Sequence, residues 1–355
     1  MTAPIEFLKY CLNDSAPTAS TLRDVDWEGL LTWADKQGII GVVFIGIEKM
    51  GNRASISFNT KMQWIGKAQI IEQQNRLINH RCVELITEFE REGFRCCVLK
   101  GQGNAAMYPN PLRRMSGDID VWTQGKSIKE TIQFAHNNNP IGKACYHHVD
   151  YGMFKDVEVE VHYRSTFMNN LIGNSRLQRW ITKHVDEQFE HIVALPNGGK
   201  MAVPTWEFNV VFQLSHIYRH VIQGGIGFRQ IIDYFYLLKA ERRDKKVRII
   251  DTLRYLRLEE IAGAVMWVLK EVLGLSEEYL VAPVDERRGK FLYEEIMQGG
   301  NFGQYDKRVK QSNDSFQRNL NRLRQDMRLV RYFPSECLWE PVFRVYHLAW
   351  RLRYN

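Results

Sequence analysis

The chain has 355 residues, 45% of them hydrophobic and 25% charged, with a net charge of +7. That length accommodates two or three compact modules, and the composition excludes a disordered, collagenous or membrane-embedded protein. No apolar run is long enough to span a bilayer, and MTAPIEFLKYCLND lacks a basic segment followed by an apolar one, so neither export nor anchoring is expected. The six cysteines show no CxxC spacing; adjacent Cys96 and Cys97 read as small buried hydrophobes, and a cytoplasmic location is expected.

In chain order, a helical N-terminal region (1–62), a mixed core (63–203) and a helical C-terminal region (204–355) are expected. Residues 27–50 read as helical, ending at Gly51-Asn52, and residues 61–91 as one long amphipathic helix whose buried stripe is expected to be Trp64, Ile65, Ala68, Ile71, Leu77, Ile78, Leu85, Ile86 and Phe89. Phe94 to Leu99 suits a buried strand, and Lys100 to Gly117 a loop with one helical turn through Asn104–Met107. Asp118 to Trp122 reads as a second strand and 126–137 as a short helix, followed by an Asn-rich turn up to Pro140. A hairpin joins 144–150 to 157–163, and a smaller one turns at Asn197-Gly198. From Thr205 the chain is expected to be almost wholly helical. Phe316, Leu320, Leu323, Met327 and Val330 mark one late apolar stripe, and Phe343, Tyr346 and Trp350 another.

Charge is concentrated at the C-terminus, where residues 301–355 hold eleven Lys or Arg against five Asp or Glu. Such a region attracts nucleic acid, lines a nucleotide site, or is a solvated helix face. No RGG run, zinc-finger spacing or aromatic ladder supports nucleic acid.

The chemistry is concentrated in LKGQGNAAMYPNPLRRMSGDIDVW, residues 99–122. On a strand, alternate residues share a face, so Asp118 and Asp120 project together while Ile119 and Val121 face the core. In Val157-Glu-Val-Glu-Val-His162 the valines commit one face to the core, which sends Glu158, Glu160 and His162 to the other. Carboxylates on rigid strands chelate a hard divalent cation such as Mg²⁺ or Mn²⁺. Gly101 and Gly103 permit close backbone approach to phosphate, and Lys100, Arg113 and Arg114 are candidate counter-charges. Taken singly, a DxD strand is usually a solvated edge and a KGxG loop usually a turn. The order of strand, glycine loop, arginine pair, DxD strand and acidic strand points to transfer of part of a nucleoside triphosphate.

The segments LKG…MYPNPLRRMSGDIDVW, HHVDYGMFKDVEVEVHYR and LSHIYRH…FRQIIDYFYLL resemble the bacterial uncharacterised nucleotidyltransferase family of the DNA polymerase beta-like nucleotidyltransferase superfamily. The resemblance spans roughly residues 25 to 350 and is carried mainly by the DID and the EVH. It implies an α+β, mostly helical protein: a polymerase beta-like core with a small mixed sheet, flanked by helical regions. It also implies that Asp118, Asp120 and Glu160 are the catalytic metal ligands. Many superfamily members place Gly-Ser after the first strand; Lys100-Gly101 stands there here, so their phosphate-binding mode does not transfer.

The expected activity is Mg²⁺-dependent transfer of a nucleoside monophosphate, AMP from ATP, to a hydroxyl of an unknown small-molecule or macromolecular acceptor. Lys100, Gly101, Gly103, Arg113 and Arg114 would bind the nucleotide, with Glu158 and His162 in support. Two other readings stay open: a non-catalytic nucleotide- or RNA-binding protein, and a toxin-type nucleotidyltransferase acting with a partner. For His147 and His148, hydrogen-bonded histidines near a polar cleft are favoured over a zinc site, since no carboxylate pair at ligand spacing supports one. His216 and His220 share a helix face without an HExxH glutamate, and Arg229 and Asp233, one turn apart, suit a salt bridge; no role follows for these four.

Overall fold

A computed structural model describes residues 3–13, 25–51, 54–138, 142–196, 198–241, 246–309 and 314–354. The first helices are α1 (Ala3–Leu12), α2 (Trp27–Gln37), α3 (Ile40–Met50) and α4 (Phe58–Arg91). Residues 27–50 are helical as expected, in two segments. Gly38 takes a left-handed conformation (φ 70°) and its N–H closes onto Ala34 and Asp35, which ends α2 before Ile39. The break lets α3 turn and pack on the loop that carries the arginine pair. A Cβ at Gly41 would lie 1.9 Å from the Arg113 carbonyl oxygen, so only glycine permits that approach. Asn52, the expected end of this region, lies outside the described residues.

Strand β1 (Arg95–Leu99) follows, then α5 (Gly101–Ala105), β2 (Ile119–Gln124), α6 (Ile128–Asn138), β3 (His148–Asp150) and β4 (Val159–His162). The sheet order is β1-β2-β4-β3, with β2 and β4 parallel and both outer pairings antiparallel. Parallel pairing requires a crossover, and α6, β3 and their connections supply it. The helical turn of the long loop starts at Gly101, directly after β1, and not at Asn104. The Asn-rich turn lies partly outside the described residues. A two-stranded hairpin, β5 (Ile192–Ala194) with β6 (Lys200–Ala202), comes after α7 (Leu171–Lys183) and α8 (Val185–Glu190). Its Asn197 also lies outside them.

The rest is helical: α9 (Trp206–Gln223), α10 (Phe228–Lys239), α11 (Lys246–Tyr255), α12 (Glu259–Trp267) running into a π-helical segment at Val268–Val272, α13 (Glu286–Gly299), α14 (Ser315–Leu329) and α15 (Pro334–Tyr354). The N-terminal helices and α9 to α13 share one hydrophobic cluster, so the two ends of the chain are built into a common core. A second cluster joins the valine face of the sheet to α4 and α15. Phe343, Tyr346 and Trp350 of α15 all pack edge-on against Tyr146 beside β3, Tyr346 with its other side exposed.

The expected stripe of α14 is not a buried one. Leu323 and Met327 are 56% and 62% exposed, while Arg322 and Arg328 turn inward to Glu340 and Glu295. Those ion pairs rotate the helix relative to its apolar periodicity. They also neutralise part of the C-terminal basic excess within the fold. The side chain of Phe316 lies outside the described residues.

Glu336 at the start of α15 is buried and accepts hydrogen bonds from the backbone N–H groups of Asn169 and Asn170, at 2.6 and 3.2 Å. Burial pushes its carboxyl up from 4.5 to about 7 despite those donors. A carboxyl raised on folding stabilises the fold in its protonated form, and that contribution is lost as pH rises through about 7. Urea denaturation should therefore show a loss of about 2–3 kcal/mol between pH 5.5 and 8.5. Glu336→Gln should flatten that slope; an unchanged slope would assign it to other groups.

Candidate active site

The site forms where β1 ends and β2 and β4 begin, beneath α9 and α10. Register places Asp120 opposite Glu160 across the parallel pair and opposite Leu99 on the other side. Ile119, Val121, Val159 and Val161 are buried in the core below, so alternation lifts Asp120, Glu160 and His162 to the upper face. Asp118 stands one residue ahead of β2. These carboxylates line a cavity of about 420 Å³ together with Lys100, Gly101, Arg114, Arg219 and Arg229.

Two cationic groups are driven into the carboxylates. Lys100 Nζ lies 2.7 Å from Asp120 Oδ1. The backbone of Lys100 has φ 47° and ψ −133°, a conformation costly for a residue with a Cβ. That strain sits at the turn out of β1 that aims the ammonium at Asp120, and Gly101 (φ 34°) continues it. His162 Nε2 lies 2.9 Å from Asp120 Oδ1 and 3.1 Å from Glu160 Oε2. Its Nδ1 is 3.3 Å from the Arg164 carbonyl oxygen, which can only accept, so both ring nitrogens carry protons.

The titration behaviour follows from these contacts. Burial opposes ionisation of Asp120, but Lys100 and His162 hold its carboxyl far below the usual range. Glu160 is likewise buried yet lowered by the His162 hydrogen bond, and His162 is raised by both acids against its own burial. Asp118 moves the other way, chiefly through repulsion by Asp120 and then by burial. The repulsion between Asp118 and Asp120 is what a bound divalent cation would relieve. Asp120, Glu160 and His162 offer ligand atoms within 4.8 Å of one another, as do His148, Asp150 and Glu160. The carboxylate oxygens of these sets fit Mg²⁺ or Mn²⁺; His162 would join them only on releasing its Nε2 proton. His147, His148 and His162 also converge, and carboxylates do stand beside them, which their sequence spacing did not show.

Not every expected residue is here. Arg113 points away from the cavity, between Glu72 (2.8 Å) and Glu48 (3.1 Å) and over the Phe44 ring. Arg113 closes a 3-10 turn (Pro111–Arg113) and Arg114 leaves it in extended backbone, so the two side chains diverge and only Arg114 reaches the site. Gly103 is absent from the cavity lining; its Cβ position faces Val203 and the Val98 carbonyl at 3.2 Å, a packing role. Glu158 lies ahead of β4 and is exposed; its contribution is a backbone carbonyl that accepts from Ile119 N–H. Arg229 does not pair with Asp233. Asp233 instead accepts two hydrogen bonds from Arg114, both 2.7 Å, and one of 2.6 Å from the Tyr108 hydroxyl. Its carboxyl is held low by Arg114 against burial.

The roof of the cavity comes from the C-terminal helices. His216, Arg219 and His220 recur at i, i+3 and i+4 on α9, so one polar face of an otherwise apolar helix looks down on the carboxylates. Arg219 donates to His147 Nε2 (2.8 Å) and His216 Nδ1 (3.2 Å). Burial and the neighbouring cations keep His147, His216 and His220 neutral, their pKa values well below the usual range. Phe302 completes the wall with its backbone in the left-handed region (φ 53°), its ring 4.8 Å from the Arg229 guanidinium and 5.1 Å from His220. The helical spacing was legible; its direction was not.

The model of the family described as uncharacterised nucleotidyltransferase matches residues 23–274. The chain belongs to this family. The match runs from ahead of α2 to the end of the π-helical segment and so takes in the sheet, the carboxylates and the α9–α10 roof. No curated protein and no solved structure matches the chain. Among the described residues no helix is long and apolar enough to cross a membrane.

Proposed function

We propose that this protein is a divalent-cation-dependent nucleotidyltransferase with a polymerase beta-like core. It moves a nucleoside monophosphate, AMP from ATP, to a hydroxyl of a small-molecule or macromolecular acceptor. The observation that carries this reading is the meeting of Asp120 and Glu160 across two parallel strands, with Asp118 lining the same cavity and its opposite wall cationic. A cavity of that size suits a nucleotide, and the two walls suit its two needs: carboxylates for the cation and guanidinium groups for phosphate.

In the reaction the acceptor oxygen forms a bond to the α-phosphorus as the bond to the β-phosphate oxygen breaks and pyrophosphate leaves. Asp118, Asp120 and Glu160 would hold the divalent cation, which when bound supplies charge stabilisation at the α-phosphate and activation of the hydroxyl. Arg114 and Arg229 face the triphosphate, with Gly101 presenting bare backbone beside Asp118. Arg114 is fixed by Asp233, so its guanidinium is oriented before substrate arrives. The hydroxyl proton passes to Glu160, which His162 keeps ionised and able to accept. From Glu160 Oε2 the route outward runs to His148 Nδ1 at 3.3 Å and from His148 Nε2 to Asp150 at 3.4 Å, near the surface.

The test is incubation with each NTP, Mg²⁺ or Mn²⁺ and a broad acceptor panel, with pyrophosphate and modified product as readouts. Wild-type protein should release pyrophosphate and Asp118→Asn/Asp120→Asn should not. Equal behaviour of the two across the panel would reject the reading.

A further inference from the structure

Resting on the nucleotidyltransferase reading, we infer that the acceptor carries an oxyanion, a phosphate or a carboxylate, which docks on Arg219 at the Glu160 end of the cavity. The cavity has two distinct ends. At one, Gly101 lies beside the Asp118 carbonyl, and Arg229 donates to Met115 in the loop that carries Arg114. At the other, contacts run from Glu160 to His148, then His147, then Arg219, at 3.3, 3.0 and 2.8 Å. The acidic groups that Arg229 feels include Asp233 and Asp118; the carboxylates that Arg219 feels are Glu160 and then Asp120.

In-line displacement puts the attacking and leaving oxygens on opposite sides of the α-phosphorus. With the triphosphate at the Arg114–Arg229 end, the acceptor enters at the Glu160 end. There it meets a guanidinium that is about nine-tenths buried, with no carboxylate at ion-pair distance among the described residues. The other two arginines buried to that degree near the site have one: Arg113 has Glu48 and Glu72, and Arg114 has Asp233; Arg229 has none either, but it is less buried and donates to the Met115 carbonyl. The hydrogen-bond partners of Arg219 are two neutral imidazoles, and its Nε–H has none. Phe167 supports the guanidinium plane at 5.0 Å.

An uncompensated buried cation is expensive, and burial accordingly lowers the pKa of Arg219. Its nearest negative charges, Glu160 and Asp120, belong to the cation once one is bound, which leaves Arg219 still without a counter-ion. The imidazoles orient it but contribute no charge. A ligand oxyanion satisfies the group, and the group in turn selects acceptors that bring one.

The experiment is calorimetric titration of orthophosphate, and separately acetate, into the full chain saturated with Mg²⁺ and an ATP analogue bearing a methylene between its α- and β-phosphates. One or both anions should bind the saturated protein, and which one does so separates a phosphate-bearing from a carboxylate-bearing acceptor. Arg219→Gln should weaken that binding by about tenfold or more, leaving analogue affinity within about twofold, with Arg219→Lys intermediate. Melting curves of both variants confirm folding, and Arg219→Lys keeps the charge if the neutral variant does not fold. Failure of both anions to bind, mutual exclusion of anion and analogue, or equal loss of analogue affinity in Arg219→Gln would overturn the inference. Failure of the analogue itself to bind would instead reject the nucleotidyltransferase reading. Titration of the nucleotide-free protein with the same anions would then still test Arg219.

Discussion

Asp120→Asn is expected to lower nucleotidyl transfer by about 10³ or more, the largest effect of any single substitution in this protein. Its carboxylate is the meeting point of the site: it holds Lys100 at 2.7 Å and His162 at 2.9 Å and lies opposite Glu160 in register. Asparagine keeps the shape but removes the charge that orients both cations and anchors the metal set. The loss of Asp118–Asp120 repulsion partly offsets the unpaired Lys100, so the fold should survive. Two measurements check this. Pyrophosphate release should vanish, and the rise in melting temperature that Mg²⁺ and ATP give the wild type should shrink with it. Release at the wild-type rate would remove Asp120 from the chemistry.

Asp233→Ala should cost about 3–5 kcal/mol of stability, because it strands a buried guanidinium and a buried phenol. Arg114 makes two 2.7 Å hydrogen bonds to Asp233, and Tyr108 makes a third of 2.6 Å. The pair ties the loop between β1 and β2 to α10, so its loss also frees Arg114 from the position it holds in the cavity. Replacing both partners by apolar residues, Arg114→Met with Asp233→Leu, should recover much of the stability but not the nucleotide affinity. Urea denaturation and analogue binding separate the two effects. If the single and double variants are equally stable, the pair is not an isolated buried unit.

Much of the sheet was legible because strand alternation is a local rule. Three valines in Val157–Val161 determine which way Glu160 and His162 point, and Ile119 and Val121 do the same for Asp120. The helical boundaries were less legible. Gly38 splits 27–50 by a left-handed turn that apolar spacing does not record. On α14, ion pairs from Arg322 and Arg328 outweigh the apolar stripe and turn Leu323 and Met327 outward.

The basic half of the site was legible in part: Lys100, Gly101 and Arg114 line the cavity. Arginines near the glycine loop drew the expectation, yet Arg113 is spent on Glu48 and Glu72, and Gly103 on packing. The cationic roof is Arg219 and Arg229, about a hundred residues on, brought over the sheet by the docking of α9 and α10. Their helical spacing put His216, Arg219 and His220 on one face, but spacing carries no information about what that face meets.

By itself, then, the sequence determined the acidic half of the site, because period-two alternation and hydrophobic burial act within a few residues. Lys100 and Arg114 were also legible, but only the tertiary structure decided the rest of the basic half. Long-range helix packing chooses which of 48 lysines and arginines meet a carboxylate partner, and which is left buried without one. Asp118, Asp120 and Glu160 could be named from the chain; Arg219 could not.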